Sequence, residues 1–276
     1  MSGALRVALI QLGYGDDEPV PVRVQRVAAL VRAQAGHDLV VLPELWAPGG
    51  FAYRDWLHRG EQVDGPTATA MAAAARDAGV VLHAGSIIET AAPGAHRGEQ
   101  GRGQWNTSLL FGPDGALLAT YRKVHRFGFG SGEPLLLEAG TDIVTVSVPR
   151  PATGGADVRL GLATCYDVRF PELFRRLLDD GAEVVVLPAA WPAARVGHWT
   201  LLGRARAIEN QTPLLACNTA GTHSRHLMGG ASQVVGADGE VLAEAGAGEQ
   251  VLSVEVDVDA LPALRAGFPV LADRRL

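Results

Sequence analysis

Six short runs rich in Val, Leu and Ile punctuate the chain, at 5–12, 38–43, 80–88, 158–164, 183–188 and 213–218. They are apolar along their length rather than at alternate positions, the pattern of strands buried on both faces of a sheet. Between them lie segments with helix-like spacing near 22–35, 66–78, 171–181 and 199–210. In the first of these Val24, Val27 and Val31 share one face, and Gly36 follows as a helix stop. Strands and helices alternate, which predicts an α/β fold.

The pattern also repeats. "VVLPELW" at 40–46 returns as "VVLPAAW" at 185–191, and "SLLFGPDGALLA" at 108–119 returns as "SQVVGADGEVLA" at 232–243. Each copy of the second pair carries an Asp-Gly turn suited to a hairpin. "RVALIQL" at 6–12 parallels "RLGLATC" at 159–165, and the three elements keep their order. Two related halves, each strand–helix–strand–helix–strand–hairpin, therefore make up one domain spanning 1–276. The spacing is too long and irregular for a solenoid.

The mismatches between the copies are the informative positions. Glu44 stands opposite Ala189, Cys165 opposite Leu12, and Lys123, four residues past its hairpin, opposite Ala247. An apolar residue suffices at each counterpart, so the fold does not demand a carboxylate, a thiol or an amine there. Each has a bland explanation taken alone: a core thiol, a helix cap, a solvated lysine. Three such accidents at unrepeated positions are harder to accept than one site. Cys217, inside the apolar run "LLACNTAG", reads as core.

Together the three residues suit acyl transfer. A thiol becomes a nucleophile when its pKa is lowered or a base stands beside it. Cys165 ends a strand, and Pro171 marks a nearby helix start whose amides favour negative charge. It is expected to be exposed beside Glu44, the base, with Cys217 buried. Lys123 and the backbone amide of Tyr166 would hold the oxyanion.

Composition narrows the alternatives. The chain has 276 residues, 47% hydrophobic and 20% charged, enough for a large core. A net charge of −6 without basic runs makes nucleic acid and anionic membranes poor partners. No apolar stretch reaches a membrane span, and "MSGALRVALIQLG" lacks the features of a signal peptide. Two cysteines make no disulfide framework, so a reduced, cytoplasmic protein is expected. The eight histidines form no HExxH or other metal spacing, and "GYGDDEP" is a turn rather than a dinucleotide fingerprint. No metal or cofactor is expected. His83 reads as a packed strand residue, and "GAHRGEQGRGQ" at 94–104 as a mobile surface insertion.

With "LPELW", "YRKVH" and "TCYDVRFPELFR" in this order, the chain resembles the nitrilase superfamily of carbon–nitrogen hydrolases, and the similarity extends through "HWTLLGRARAIENQ" to "GFPVLADRR". The resemblance implies a four-layer α-β-β-α sandwich, a homodimer or larger homo-oligomer, and Glu44, Lys123 and Cys165 as a catalytic triad. It further implies a second glutamate that positions substrate or lysine; Glu133 in "GEPLLLEAG" matches it better than Glu138. The nearest branch is that of omega-amidases and deaminated-glutathione amidases, which act on small amides. That branch often carries an acidic residue shortly after the lysine motif, where this chain reads "HRFGFG". Arg126 in that loop is the expected partner of a substrate carboxylate, with Arg169, Arg195 and Arg225 as further candidates. Nitrile or N-carbamoyl hydrolysis stays open within the superfamily. An isochorismatase-type cysteine hydrolase would not explain the motif order or the repeat. A non-catalytic binding homologue would not explain an intact triad.

Overall fold

The structure is a computed structural model that describes residues 4–275. The first half runs through β1 (Leu5–Gln11), α1 (Val20–Arg32), β2 (Leu39–Val41), α2 (Trp56–Arg59), α3 (Pro66–Ala78), β3 (Val81–Thr90), β4 (Gln104–Phe111), β5 (Leu117–Arg122) and α4 (Glu133–Leu136). The second half opens with β6 (Thr145–Val148), β7 (Val158–Leu162), α5 (Pro171–Asp179), β8 (Val184–Pro188), α6 (Val196–Asn210) and β9 (Leu214–Cys217). It closes with the short β10 (Thr222–His223) and β11 (His226–Leu227), then β12 (Gln233–Val235), β13 (Val241–Glu244), β14 (Gln250–Val256) and α7 (Leu261–Gly267). Every run expected to be a strand is one, and all four expected helices form.

Two six-stranded sheets result, in the orders β14-β1-β2-β3-β4-β5 and β13-β12-β9-β8-β7-β6. Each has three parallel strands at its centre, β1-β2-β3 or β7-β8-β9, flanked by an antiparallel hairpin. One edge strand crosses between the halves: β14 of the second half pairs antiparallel with β1 of the first, while β6 pairs antiparallel with β7 of its own half.

Burial on both strand faces explains the continuous apolar runs. Leu5, Val7 and Leu9 of β1 meet Leu160, Leu162, Val184 and Val186 of the other sheet in a core between the sheets. The intervening Ala8 and Ile10 face Val24, Val27 and Val31 of α1 and Met71 of α3. On the opposite side Val185, Leu187 and Ala216 pack against Phe174 and Leu177 of α5 and Trp199 and Ala207 of α6. The layers are therefore helix, sheet, sheet, helix, as the resemblance implies. Among the described residues no helix is long and apolar enough to cross a membrane.

Candidate active site

Glu44 sits just beyond the carboxyl end of β2, where ligand sites collect in parallel α/β sheets. The chain turns sharply there, with Leu45 at φ 46°. This turn needs room, and Gly85 supplies it. A Cβ on Gly85 would lie 1.9 Å from the Pro43 carbonyl oxygen, and its φ of 68° suits glycine. The register of β3 on β4 shifts at this point, between His83 and Ser86. Ser86 Oγ then accepts from the Leu45 amide at 3.0 Å, and Trp46 Nε1 donates to the Ala84 carbonyl at 2.9 Å.

Cys165 follows β7 and opens a single 3-10 turn, Cys165–Arg169, ahead of α5. Its φ is 49°, a left-handed conformation that costs a non-glycine residue roughly 1–3 kcal/mol. Thr164 and Asp167 close a capping box around the turn. Fully buried Asp167 also accepts from Tyr121 Oη at 2.7 Å, from the His125 amide at 3.0 Å and from His125 Nδ1 at 2.7 Å. The thiol is thus presented by a turn tied to the strand and loop that carry Lys123.

Lys123 follows β5. Its backbone amide donates to Asn106 and its carbonyl accepts from Gly140, both at 2.9 Å. A Cβ on Gly140 would fall 1.9 Å from the Arg122 carbonyl oxygen, so only glycine permits this approach. The ammonium donates to Glu44 Oε1 at 2.7 Å and is forked across Glu133 Oε1 and Oε2 at 3.1 and 3.0 Å. Glu44, Lys123 and Glu133 are 3%, 2% and 3% exposed, so this ion cluster is desolvated. Glu44 Oε2 accepts from the Ala190 amide at 2.9 Å, and Glu133 Oε2 from the Phe127 amide at 2.5 Å. Asn106 of β4 donates to both carboxylates, a contact that no sequence spacing announces. Glu138 is turned elsewhere, accepting from the amides of Gln100 and Arg102, and so pins the exposed 94–104 connection.

The electrostatics follow from burial. Cys165 is 7% exposed, not open to solvent as expected. Burial pushes its thiol well above the ordinary range, the Glu44 charge adds to this, and Lys123 only partly opposes it. Its proton therefore stays on at rest, and among its charged neighbours Glu44 acts on it most strongly. Burial also raises Glu133, against Lys123 and its hydrogen bonds from Asn106 and Phe127. Burial works against the charge on Lys123, but the charges of Glu133 and Glu44 outweigh it and raise the pKa.

These groups face a cavity whose walls include Phe51, Tyr53, Phe127, Tyr166 and Trp191. The structure brings Glu44, Lys123, Glu133, Cys165 and Tyr166 together there. As the second residue of its 3-10 turn, Tyr166 has an amide with no acceptor inside the turn. Arg126 is not on the wall; its guanidinium donates to the Leu137 carbonyl at 2.7 Å and Gln100 Oε1 at 2.9 Å. The structure therefore does not bring Arg126 to the cavity with Lys123. Besides Lys123, the cations on the wall are Arg169 and Arg195. Arg169 lies 4.9 Å over the Trp191 ring and contacts His198 Nδ1 at 3.2 Å, and Arg195 lies 5.5 Å over Phe127. Arg225 is exposed and off the wall. Cys217 and His83 are fully buried, and burial lowers His83 to about 4. Among the described residues no cluster of His, Cys, Asp and Glu is placed to hold a metal.

The carbon–nitrogen hydrolase profile matches residues 6–266. A 2-oxoglutaramate amidase of Paenarthrobacter nicotinovorans is 43% identical over 273 residues, 99% of this chain and 90% of that protein. The omega-amidase of Homo sapiens is 31% identical over 283 residues, 99% and 95% of the two chains. Among solved structures, a CN-hydrolase superfamily protein of Xanthomonas campestris with an arsenic adduct in its active site superposes with a TM-score of 0.85. It is 31% identical, covering 99% of this chain and 98% of that one. The chain belongs to the carbon–nitrogen hydrolase family and is an enzyme of its amidase type.

Proposed function

We propose that this hydrolase cleaves the terminal carboxamide of a small acid amide, of the class of 2-oxoglutaramate, releasing ammonia. The observation that carries the reading is that Arg169 and Arg195 line the same cavity as the Glu44–Lys123–Cys165 cluster. With Glu133 that cluster has two carboxylates and one ammonium, so it offers an anionic substrate no net attraction. The two guanidinium groups do, against aromatic walls that suit a short carbon chain. The 43% identity to a 2-oxoglutaramate amidase supports the same class.

The chemistry follows from a thiol that stays protonated. Glu44 removes the Cys165 proton as sulfur attacks the amide carbon, and such a base is worth roughly 10²–10⁴-fold. The oxyanion forms against the Tyr166 amide and Lys123. An ammonium has three hydrogens; Glu44 and Glu133 take two, leaving one for the oxyanion. Glu44 then protonates the departing nitrogen, ammonia leaves, and a thioester remains. Water, deprotonated by Glu44, attacks that thioester; the sulfur leaves with a proton and the carboxylic acid is freed.

The nucleophile acts as a free thiol, which supports a cytoplasmic location. Exposed Leu201 and Ile208, two turns apart on one face of α6, support a homodimer.

Ammonia release from 2-oxoglutaramate, other dicarboxylic monoamides, neutral aliphatic amides, nitriles and N-carbamoyl compounds tests the substrate class. Acid amides should be preferred. Arg169→Ala and Arg195→Ala should each raise KM for them by about tenfold to a hundredfold, as for loss of a charged hydrogen bond. Neutral amides should be unaffected. A wild-type preference for neutral amides or nitriles would overturn the substrate class and leave the triad standing.

A further inference from the structure

Asn106 is a neutral side chain among the buried charges of Glu44, Lys123 and Glu133, 3% exposed and absent from the cavity wall. Its Nδ2 carries two hydrogens and meets two acceptors, Glu44 Oε1 and Glu133 Oε1, each at 2.8 Å. The same two oxygens accept from Lys123 Nζ at 2.7 and 3.1 Å. The amide, the ammonium and the two carboxylate oxygens thus close a ring in which each donor serves both acceptors. The backbone joins in, since the Asn106 carbonyl accepts from the Lys123 amide at 2.9 Å. The repeat aligns Asn106 with Gly230, so the fold does not require an amide side chain at this place.

We propose that Asn106 is a positioning residue of the reaction, a neutral clamp that holds Glu44 and Glu133 in place so that Lys123 keeps a hydrogen for the oxyanion. The inference rests on the triad read above, but not on the identity of the amide. Without the clamp, Glu44 Oε1 and Glu133 Oε1 would have only the ammonium in common. It would then turn its remaining hydrogen toward them and away from the cavity. The clamp has to be neutral. Another cation would cancel the charge of the base, and another carboxylate would give the buried cluster an excess of two negative charges. An amide supplies two donors at no charge.

The clamp also bears on protonation. The ionisable groups facing the cluster are Glu44, Glu133, Lys123, Cys165, Tyr14 and Tyr53. Burial pushes Glu133 toward its neutral form, and the Asn106 hydrogen bond works against this. Removing that bond makes Glu133 easier to protonate, and protonated Glu133 no longer anchors Lys123. The acid limb of activity should therefore move to higher pH.

The test compares wild type with Asn106→Ala and Asn106→Asp, measuring kcat and KM across pH and the pH dependence of Cys165 alkylation by iodoacetamide. Asn106→Ala should lower kcat by about tenfold to a hundredfold, the worth of one hydrogen bond to a charged group, while KM moves far less. Its acid limb should shift upward, and its alkylation profile should depart from wild type. Asn106→Asp, nearly isosteric, should be the poorer enzyme because it turns two donors into acceptors. Wild-type kcat in Asn106→Ala overturns the proposal. So does a loss of kcat with both pH profiles unchanged, since packing alone would give that result. Should the alanine variant fail to fold, Asn106→Ser, which keeps one donor, decides by the same profiles. An intermediate shift supports the clamp, and none overturns it. Alkylation needs no amide, so it reads Asn106 even where the assigned substrate class is wrong.

Discussion

Cys165 is a thiol held in a left-handed turn, almost out of solvent and protonated at rest, so its reactivity has to come from Glu44 rather than from a standing thiolate. Glu44→Gln keeps the shape and removes the base; kcat should fall by roughly 10²–10⁴-fold, measured as ammonia release at saturating amide. Iodoacetamide should label Cys165 through the cavity and leave Cys217 untouched, because Cys217 is fully buried with the Ile10 and Val41 carbonyl oxygens each 3.4 Å from its sulfur, sharing its one hydrogen. Equal labelling in a peptide map, or full turnover by the glutamine variant, would refute the assignment. Glu44, Lys123 and Cys165 were legible in the sequence because each breaks the internal repeat, and Glu133 through its motif. Asn106 was not legible. A lone asparagine in a strand has no spacing, and its meaning appears only when two carboxylates arrive from other elements. The placement of Arg126 off the cavity wall was not legible for the converse reason, since nearness to Lys123 in sequence says nothing of direction once the chain leaves β5. His125 turns to Asp167, the Phe127 amide to Glu133, and Arg126 between them to Leu137.

The Cys165–Arg169 turn shows what the elements add to their residues. Asp167 ties it to Tyr121 at the end of β5 and to His125 beyond Lys123, so one carboxylate sets the nucleophile against the ammonium. The His125 ring stacks on Phe170 at 3.8 Å, and Phe170 meets the edge of Tyr166 at 5.3 Å, which steadies the residue whose amide is proposed to hold the oxyanion. Asp167→Asn keeps the volume but offers a donor where acceptors are needed. It should cost stability on the order of 1–3 kcal/mol, as for a broken buried hydrogen bond. It should lower kcat more than it raises KM, since the distortion falls on the reacting groups. Thermal melting and the kcat against KM split check this, and a variant with wild-type kcat would show the turn to be self-sufficient. The six central strands and four long helices were readable from local pattern because both strand faces are buried. The edge strands β6 and β14 were not. Positions along them vary from buried to exposed, so neither shows the continuous apolar signal. The 3-10 turn was hidden as well, since its conformation is set by Asp167 contacts far along the chain.

Across the whole molecule the repeat was visible as sequence, but the pairing of β14 with β1 was not, because pairing across halves leaves no local trace. That pairing leaves the first half incomplete without the second. β14, from the end of the chain, closes the β1 edge of the first sheet, and β6 closes the second. The core between the sheets is shared too. Residues up to 140 supply Leu5, Val7, Leu9, Leu39, Val41, Val81, Leu110 and Tyr121, all facing apolar side chains of the second half. Exposing these eight would forfeit roughly 12–24 kcal/mol at about 1.5–3 kcal/mol each. A whole domain is typically stable by only about 5–15 kcal/mol. A fragment of residues 1–140 should therefore fail to fold alone, giving no cooperative melt by circular dichroism and aggregating on size exclusion. Glu44, Lys123 and Glu133 lie in that fragment and Cys165 outside it, so neither piece should release ammonia by itself. Co-expression of 1–140 with 141–276 should restore paired edges, the shared core and the complete cluster, and with them turnover. A soluble, cooperatively melting 1–140 fragment would show instead that the first sheet and its helices form an independent unit.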